Sequence, residues 1–252
     1  MQNIIRLPLR FLYIAVLLCQ SGFAYSEIHG TITGTTDYVW RMYSKSNNEP
    51  AIQANLDYQH SSGFYVGTTV SSFNIGPSEL ETEFGFELEF PDSSRVEIIP
   101  YVGWSFKLGD DWRLDTQYSR YFYDGNIYSF NGDYSEFYLF LHYKDLLTAQ
   151  ASYAEDFYGL KGAAFFYELT GRYPLTDFLQ ISSTIGYAHT QGILLDDYEY
   201  WNVGLTGTYK FISMDLRYHD ARELEFGDQL ALPADHANTL KATVVFSLSV
   251  GF

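Results

Sequence analysis

The chain is 252 residues long, 46% hydrophobic and 19% aromatic, with 31 acidic against 15 basic side chains and a formal net charge of −16. That balance repels a phosphate backbone and excludes nucleic acid as a partner. Beyond the first 26 residues no run approaches the roughly 18 uninterrupted apolar residues of a membrane helix, so the apolar content is dispersed rather than blocked.

Residues 1–26 read as a secretory signal peptide. Arg6 and Arg10 precede the apolar run Phe11 to Leu18, and small and polar residues follow from Ser21 to Ser26. The run is too short to span a bilayer as a helix. Cleavage after Ala24 or Ser26 would leave a mature chain starting near Glu27, 27–252 for the latter, without Arg6 and Arg10, moving the net charge from −16 to −18. Cys19, the one cysteine, would leave too, and with it any disulfide, thiol nucleophile or cysteine-ligated metal.

From there apolar and polar residues alternate with the period of a strand in thirteen segments. In chain order they are Ile28 to Arg41, Ala51 to His60, Phe64 to Ser72, Glu79 to Phe90, Val96 to Leu108, Trp112 to Tyr123, Tyr134 to Tyr143, Leu147 to Ala154, Ala163 to Tyr173, Leu179 to Thr190, Tyr198 to Tyr209, Ile212 to Asp220 and Asn238 to Phe252. The last is the clearest. Leu240, Ala242, Val244, Phe246, Leu248, Val250 and Phe252 share one face, Thr239, Lys241, Thr243, Ser247, Ser249 and Gly251 the other, and Val245 alone breaks the pattern. A strand of about 9–11 residues crosses a tilted bilayer path, and an aromatic residue at the end of its apolar face fits the closing strand of an outer-membrane barrel. The reading is therefore all-β: a transmembrane, antiparallel, up-and-down β-barrel behind a signal peptide.

A bacterial single-chain barrel needs an even strand number, with short turns at the periplasmic end and long loops outside. Working back from Phe252, the connections Lys210-Phe211, Pro174 to Phe178, Lys144 to Leu146 and Gly109 to Asp111 are periplasmic. Ala221 to Ala237, Gln191 to Asp197, Glu155 to Gly162 and Asp124 to Asp133 are external. From the other end, Met42 to Pro50 is external and Ser61-Ser62-Gly63 is a periplasmic turn. The two schemes meet if Glu79 to Phe90 does not cross, which gives twelve wall strands and makes 73–95 an external, Glu-rich insertion, a ribbon above the barrel. Glu79, Glu81, Glu83, Glu87 and Glu89 alternate along it and form either a solvated face or an acidic rim at the pore mouth.

Alternation points Asp37, Arg41, Asp57, Glu97, Lys107, Arg113, Asp115, Glu136, Glu168, Arg172, Asp215, Arg217 and Lys241 into the lumen. Seven acids there face six bases, so the excess negative charge falls to the external segments. Twelve strands lie between the filled eight-stranded barrel and the open sixteen-stranded porin. Small inward residues such as Gly67, Ser105, Thr184, Gly204 and Ser247 favour an open interior.

The chain has no Gly-x-Ser-x-Gly elbow, His-Glu-x-x-His or Gly-rich phosphate loop. Its histidines are scattered, leaving only a cross-strand set of Ser213, Asp215 and His219 to weigh as a hydrolase. No enzyme activity, metal or cofactor is expected. Tyr38-Val39-Trp40-Arg41, Ser44, Ser46, Pro50-Ala51-Ile52-Gln53 and Gly63-Phe64-Tyr65-Val66-Gly67, with Glu97, Tyr101-Val102-Gly103, Tyr121 and Tyr123 after them, resemble the proteobacterial TorF family of porins. Met42 stands where that pattern has glycine, which argues against a tight bend there. The resemblance implies an outer-membrane channel. The expected function is passive diffusion of small solutes with cation preference, the partners being outer-membrane lipid, small solutes and the barrel-assembly machinery, reached through the strand ending at Phe252. The alternative is a non-conducting barrel with a structural or surface-binding role.

Overall fold

The computed structural model of the protein describes residues 27–74, 79–81, 87–89, 94–127, 131–190, 193, 197–222 and 242–252. The expected signal peptide (1–26), Glu83, Lys241 and residues 223–237 of the expected last loop lie outside the described residues.

Sixteen strands are described: β1 (Glu27–Thr35), β2 (Val39–Trp40), β3 (Tyr43–Ser44), β4 (Ala51–Gln59), β5 (Phe64–Ser72), β6 (Glu79–Glu81), β7 (Glu87–Glu89), β8 (Val96–Lys107), β9 (Trp112–Tyr123), β10 (Tyr134–Tyr143), β11 (Leu147–Ala154), β12 (Ala164–Pro174), β13 (Leu179–His189), β14 (Tyr198–Tyr209), β15 (Ile212–Ala221) and β16 (Thr243–Gly251). Twelve of them form a closed antiparallel barrel, each paired with its chain neighbour, and β1 meets β16 to complete the ring. The remaining four make two separate two-stranded sheets, β2-β3 and β6-β7.

The alternation in the sequence drives this closure. One face of every wall strand is apolar and outward, for example Ile52 and Leu56 on β4, Leu139 and Leu141 on β10, and Leu216 on β15, all exposed. Such a belt is unfavourable in water and is what the acyl chains of a bilayer require. Aromatic residues ring both margins. Trp104, Trp112, Tyr173, Phe178, Tyr209 and Phe211 sit at the short-turn end, and Phe122, Tyr153, Phe165 and Trp201 at the other. Closure also removes every strand edge that would otherwise leave unpaired amides in lipid. At the seam Thr31 pairs with Gly251 and Thr35 with Ser247, and Gly30 and Phe252 exchange two backbone hydrogen bonds of 2.8 and 2.9 Å. The Phe252 ring lies so close over Gly30 that a side chain at position 30 would collide with it.

Two expected elements take a different form. The first strand does not run to Arg41; it stops at Thr35, and residues 36–50 turn back as the β2-β3 hairpin. Glu79 to Phe90 is not one strand either. Its described parts are two three-residue strands paired Glu79↔Glu89 and Glu81↔Glu87, while β5 pairs directly with β8 from Phe64↔Trp104 to Ser72↔Val96. The wall count of twelve stands because that segment contributes no wall strand.

Candidate functional site

The barrel interior is divided by residues 36–50, the connection from β1 to β4. Thr35 Oγ1 donates to the Asp37 carbonyl at 2.8 Å, and Asp37 Oδ1 accepts from Ser44 Oγ (2.6 Å) and Ser46 Oγ (2.9 Å). The Lys45 amide donates to the Tyr38 carbonyl at 2.7 Å. These bonds fold the segment on itself. Its bend is Arg41 and Met42, both at positive φ (50° and 71°), as a two-residue hairpin turn of type I′ demands. The tight bend therefore exists without the glycine usual there. Met42 is buried, so packing offsets the strain of its backbone.

The hairpin, in the connection expected at the external end (Met42 to Pro50), folds into the barrel rather than standing clear of it. Arg41, Met42, Ser44, Lys45 and Ser46 are buried, while Thr36 and Asn47 to Pro50 are exposed. Arg41 Nη2 donates to Glu136 Oε1 at 2.6 Å and to Ser152 Oγ at 2.8 Å, and its Nε lies 3.8 Å from Glu168 Oε1. Its guanidinium stacks 3.7 Å from the ring centre of Phe166 and 4.1 Å from that of Trp40. Lys45 Nζ donates to Glu97 Oε2 at 2.5 Å, with the Trp40 ring at 4.3 Å and that of Tyr121 at 5.1 Å. The wall carboxylates are themselves braced. Glu97 accepts from Tyr38 and Tyr123, Glu136 from Tyr138 and Ser152, and Glu168 from Tyr200. Desolvated charges are tolerated only when paired and hydrogen-bonded in this way. Three wall carboxylates face two hairpin cations.

An aromatic layer covers the hairpin. The expected external loop Glu155 to Gly162 also folds inward, through a 3-10 turn at Phe157–Gly159. Phe157 is buried, stacking 6.2 Å from Trp40 and meeting Tyr134 at 5.2 Å and Phe166 at 5.3 Å. Toward the short-turn end the interior is polar and open. A cavity of about 540 Å³ is lined by Asp57, Gln59, Arg113, Asp115, Gln117 and His142 among others. A second, of about 220 Å³, lies against the hairpin between Arg41, Gln150, Glu168, Thr184, Tyr200, Asn202 and His219.

The sequence-predicted lumen residues thus fall into three groups. Glu97, Glu136 and Glu168 are sockets for the hairpin, and Asp37 and Arg41 belong to the hairpin rather than to a wall strand. Asp57, Arg113 and Asp115 line the larger cavity, with Arg113 Nε 3.2 Å from Asp115 Oδ2. Arg172 donates to Thr148 at 2.8 Å; Arg217 binds Asp215, Asn202 and Ser182 at 2.7–3.1 Å; Lys107 is exposed beside Arg113 in the β8-β9 register. Glu79, Glu81, Glu87 and Glu89 lie on the separate β6-β7 sheet, while Glu83 and Lys241 are outside the described residues. Lys45, Trp40, Phe157 and the bracing tyrosines escaped the sequence reading. The available signal was Lys45 itself, a cation close behind Tyr38, Trp40 and Tyr43 in a chain of net charge −16.

Ser213, Asp215 and His219 do not assemble as a catalytic set. Asp215 is taken up by Thr206 (2.6 Å) and Arg217, and Ser213 bonds Thr208 at 3.0 Å. Among the described residues no group of three or more His, Asp or Glu side chains is placed to hold a metal ion.

A closed twelve-stranded barrel with an outward apolar belt, a polar lumen and an inward-folded connection has the fold of outer-membrane porins. The KdgM porin superposes with a TM-score of 0.52 at 9% identity, over 89% of this chain and 99% of that one, and the NanC porin with 0.50 at 12%, over 88% and 98%. The chain belongs to the Gcw_chp family, described as bacterial proteins of unknown function, the match running over residues 20–252. These comparisons supply the family and the porin fold, not the TorF name that the N-terminal motifs suggest. No curated protein matches in sequence.

Proposed function

We propose that the protein is an outer-membrane channel for passive diffusion of small solutes, that it prefers cations, and that the 36–50 hairpin forms its constriction. The observation that carries this reading is the open interior at the short-turn end, about 540 Å³, where Asp57, Gln59, Arg113, Asp115, Gln117 and His142 share the lining with Tyr65, Tyr101, Tyr121 and Phe140. A barrel that served only as a wall would bury apolar side chains there, as natural cores do to near-crystalline density. Cation preference follows from the three wall carboxylates around two hairpin cations and from the acidic excess of the whole chain.

A second reading, the non-conducting barrel, is favoured by the aromatic layer of Trp40, Tyr121, Tyr134, Phe157 and Phe166 across the long-loop end. Planar-bilayer recording of the refolded protein decides between them. Discrete conductance steps are expected, with a cation-selective reversal potential at low salt that fades near 1 M, where the screening length is about 3 Å. A folded protein that stays silent supports the second reading, and anion preference at low salt refutes the charge assignment.

A further inference from the structure

The two cations of the hairpin are held in surroundings that would suit a free cation of the same kind. Arg41 lies between the Glu136 and Glu168 carboxylates and against the face of Phe166; Lys45 lies on Glu97 beneath Tyr121. All three carboxylates and the Phe166 and Tyr121 rings belong to the wall, fixed by β8, β9, β10 and β12 whether or not the hairpin is seated. Acidic groups beside aromatic faces are the chemistry that selects guanidinium and ammonium over hydrated metal ions, because a ring face offers attraction without competing for a hydration shell. Arg41 also underfills its socket. Its Nε and Nη1 have no hydrogen-bond partner among the described residues although the side chain is buried, and the 220 Å³ cavity opens beside it with Glu168, Gln150 and Asn202 on its wall. A buried donor left without an acceptor is unfavourable, so the hairpin is a serviceable but imperfect occupant.

We infer that Arg41 and Lys45 are tethered stand-ins for the permeant solute, and that the sockets of Glu136 with Glu168 and of Glu97 bind small organic cations, guanidinium and primary ammonium compounds, when the hairpin yields them. The inference rests on the channel reading above and names its solute class. The hairpin then acts as a competitive plug: a solute carrying the right cation replaces the internal ion pair with an equivalent one, whereas a neutral or anionic solute leaves the carboxylates unpaired.

Chemical rescue tests the sockets without requiring conduction. Arg41→Ala empties the first socket and leaves its acids in place. Methylguanidinium at millimolar concentration should raise the unfolding temperature of this variant by roughly 2–4 °C, while the neutral isostere N-methylurea should not, and Glu136→Gln in the same background should abolish the rise. Lys45→Ala with methylammonium repeats the test at Glu97 if the first variant does not fold. Equal effects of charged and neutral compounds, or no effect of either, overturn the inference. The second measurement uses the unaltered protein: the reversal potential should give methylguanidinium a permeability above that of sodium. A protein that conducts sodium but excludes methylguanidinium leaves the channel reading intact and refutes the solute class, and a protein silent in bilayers removes both.

Discussion

Arg41 is the residue on which the hairpin turns. Both it and Glu136 are almost wholly buried, at 2% and 0% side-chain exposure, so losing either partner strands a desolvated charge. Arg41→Met should destabilise the protein by about 3–5 kcal/mol, and adding Glu136→Met should recover most of that. Urea midpoints in detergent measure both; singles no weaker than the double would show that the pair does not hold the hairpin. Asp124, just beyond β9 and outside the wall strands, gives a pH effect. Burial raises its carboxyl, but hydrogen bonds from the Val96 and Arg95 amides and the Ser94 hydroxyl outweigh that and hold it below the ordinary value. A depressed folded-state value contributes its full stabilisation above the unfolded value of about 3.9 and loses it progressively as pH falls from there through the lower folded value. Asp124→Asn should therefore be less stable than the natural protein at pH 7, with the gap narrowing as pH falls below about 3.9. A constant gap across that range would contradict the assignment. Alternation foresaw the inward direction of Glu97 and Glu136, because strand period fixes the face. It could not find their partners, since a side chain on a connection has no period to read.

At the scale of elements, strand boundaries were legible and connections were not. Trp112–Tyr123, Tyr134–Tyr143, Leu147–Ala154 and Tyr198–Tyr209 begin and end where alternation does. Residues 36–41 also alternate, which extended the first strand into a segment whose side chains bond to one another instead. Asp37, Ser44 and Ser46 close that loop, and such polar bonds compete with the ladder in a way hydropathy cannot register. The Glu-rich segment was separable by parity alone. Since β5 and β8 already pair along nine residue positions, from Phe64↔Trp104 to Ser72↔Val96, removing residues 76–93 and joining the ends with a short glycine linker should leave a heat-modifiable barrel that still inserts. Failure to insert would mean that the segment is needed for the wall. Retention of Ser94 matters, because its hydroxyl binds Asp124 across the same loop end.

For the whole molecule, the direction of the barrel in the membrane follows from its asymmetry: short turns at one end, the hairpin and long connections at the other. Cysteine at Asn47, exposed between β3 and β4, should react with impermeant reagent on intact cells, and cysteine at Ser62 in the β4-β5 turn should not. The reverse pattern would invert the orientation. The hairpin's position along the chain bears on how the protein is made. Lys45 waits for a partner 52 residues later, Arg41 for one 95 residues later, and the Arg41 carbonyl for Tyr198, 157 residues on, while the seam joins Thr33 to Ser249 across 216. Long-range closures of this kind form late, because chain entropy must be spent before they return anything. By this measure the seam costs more to close than any hairpin contact, so the hairpin's carboxylates on β8 and β10 are within its reach before the cylinder is sealed. The wall is then closed around a connection already in place rather than filled after it is sealed.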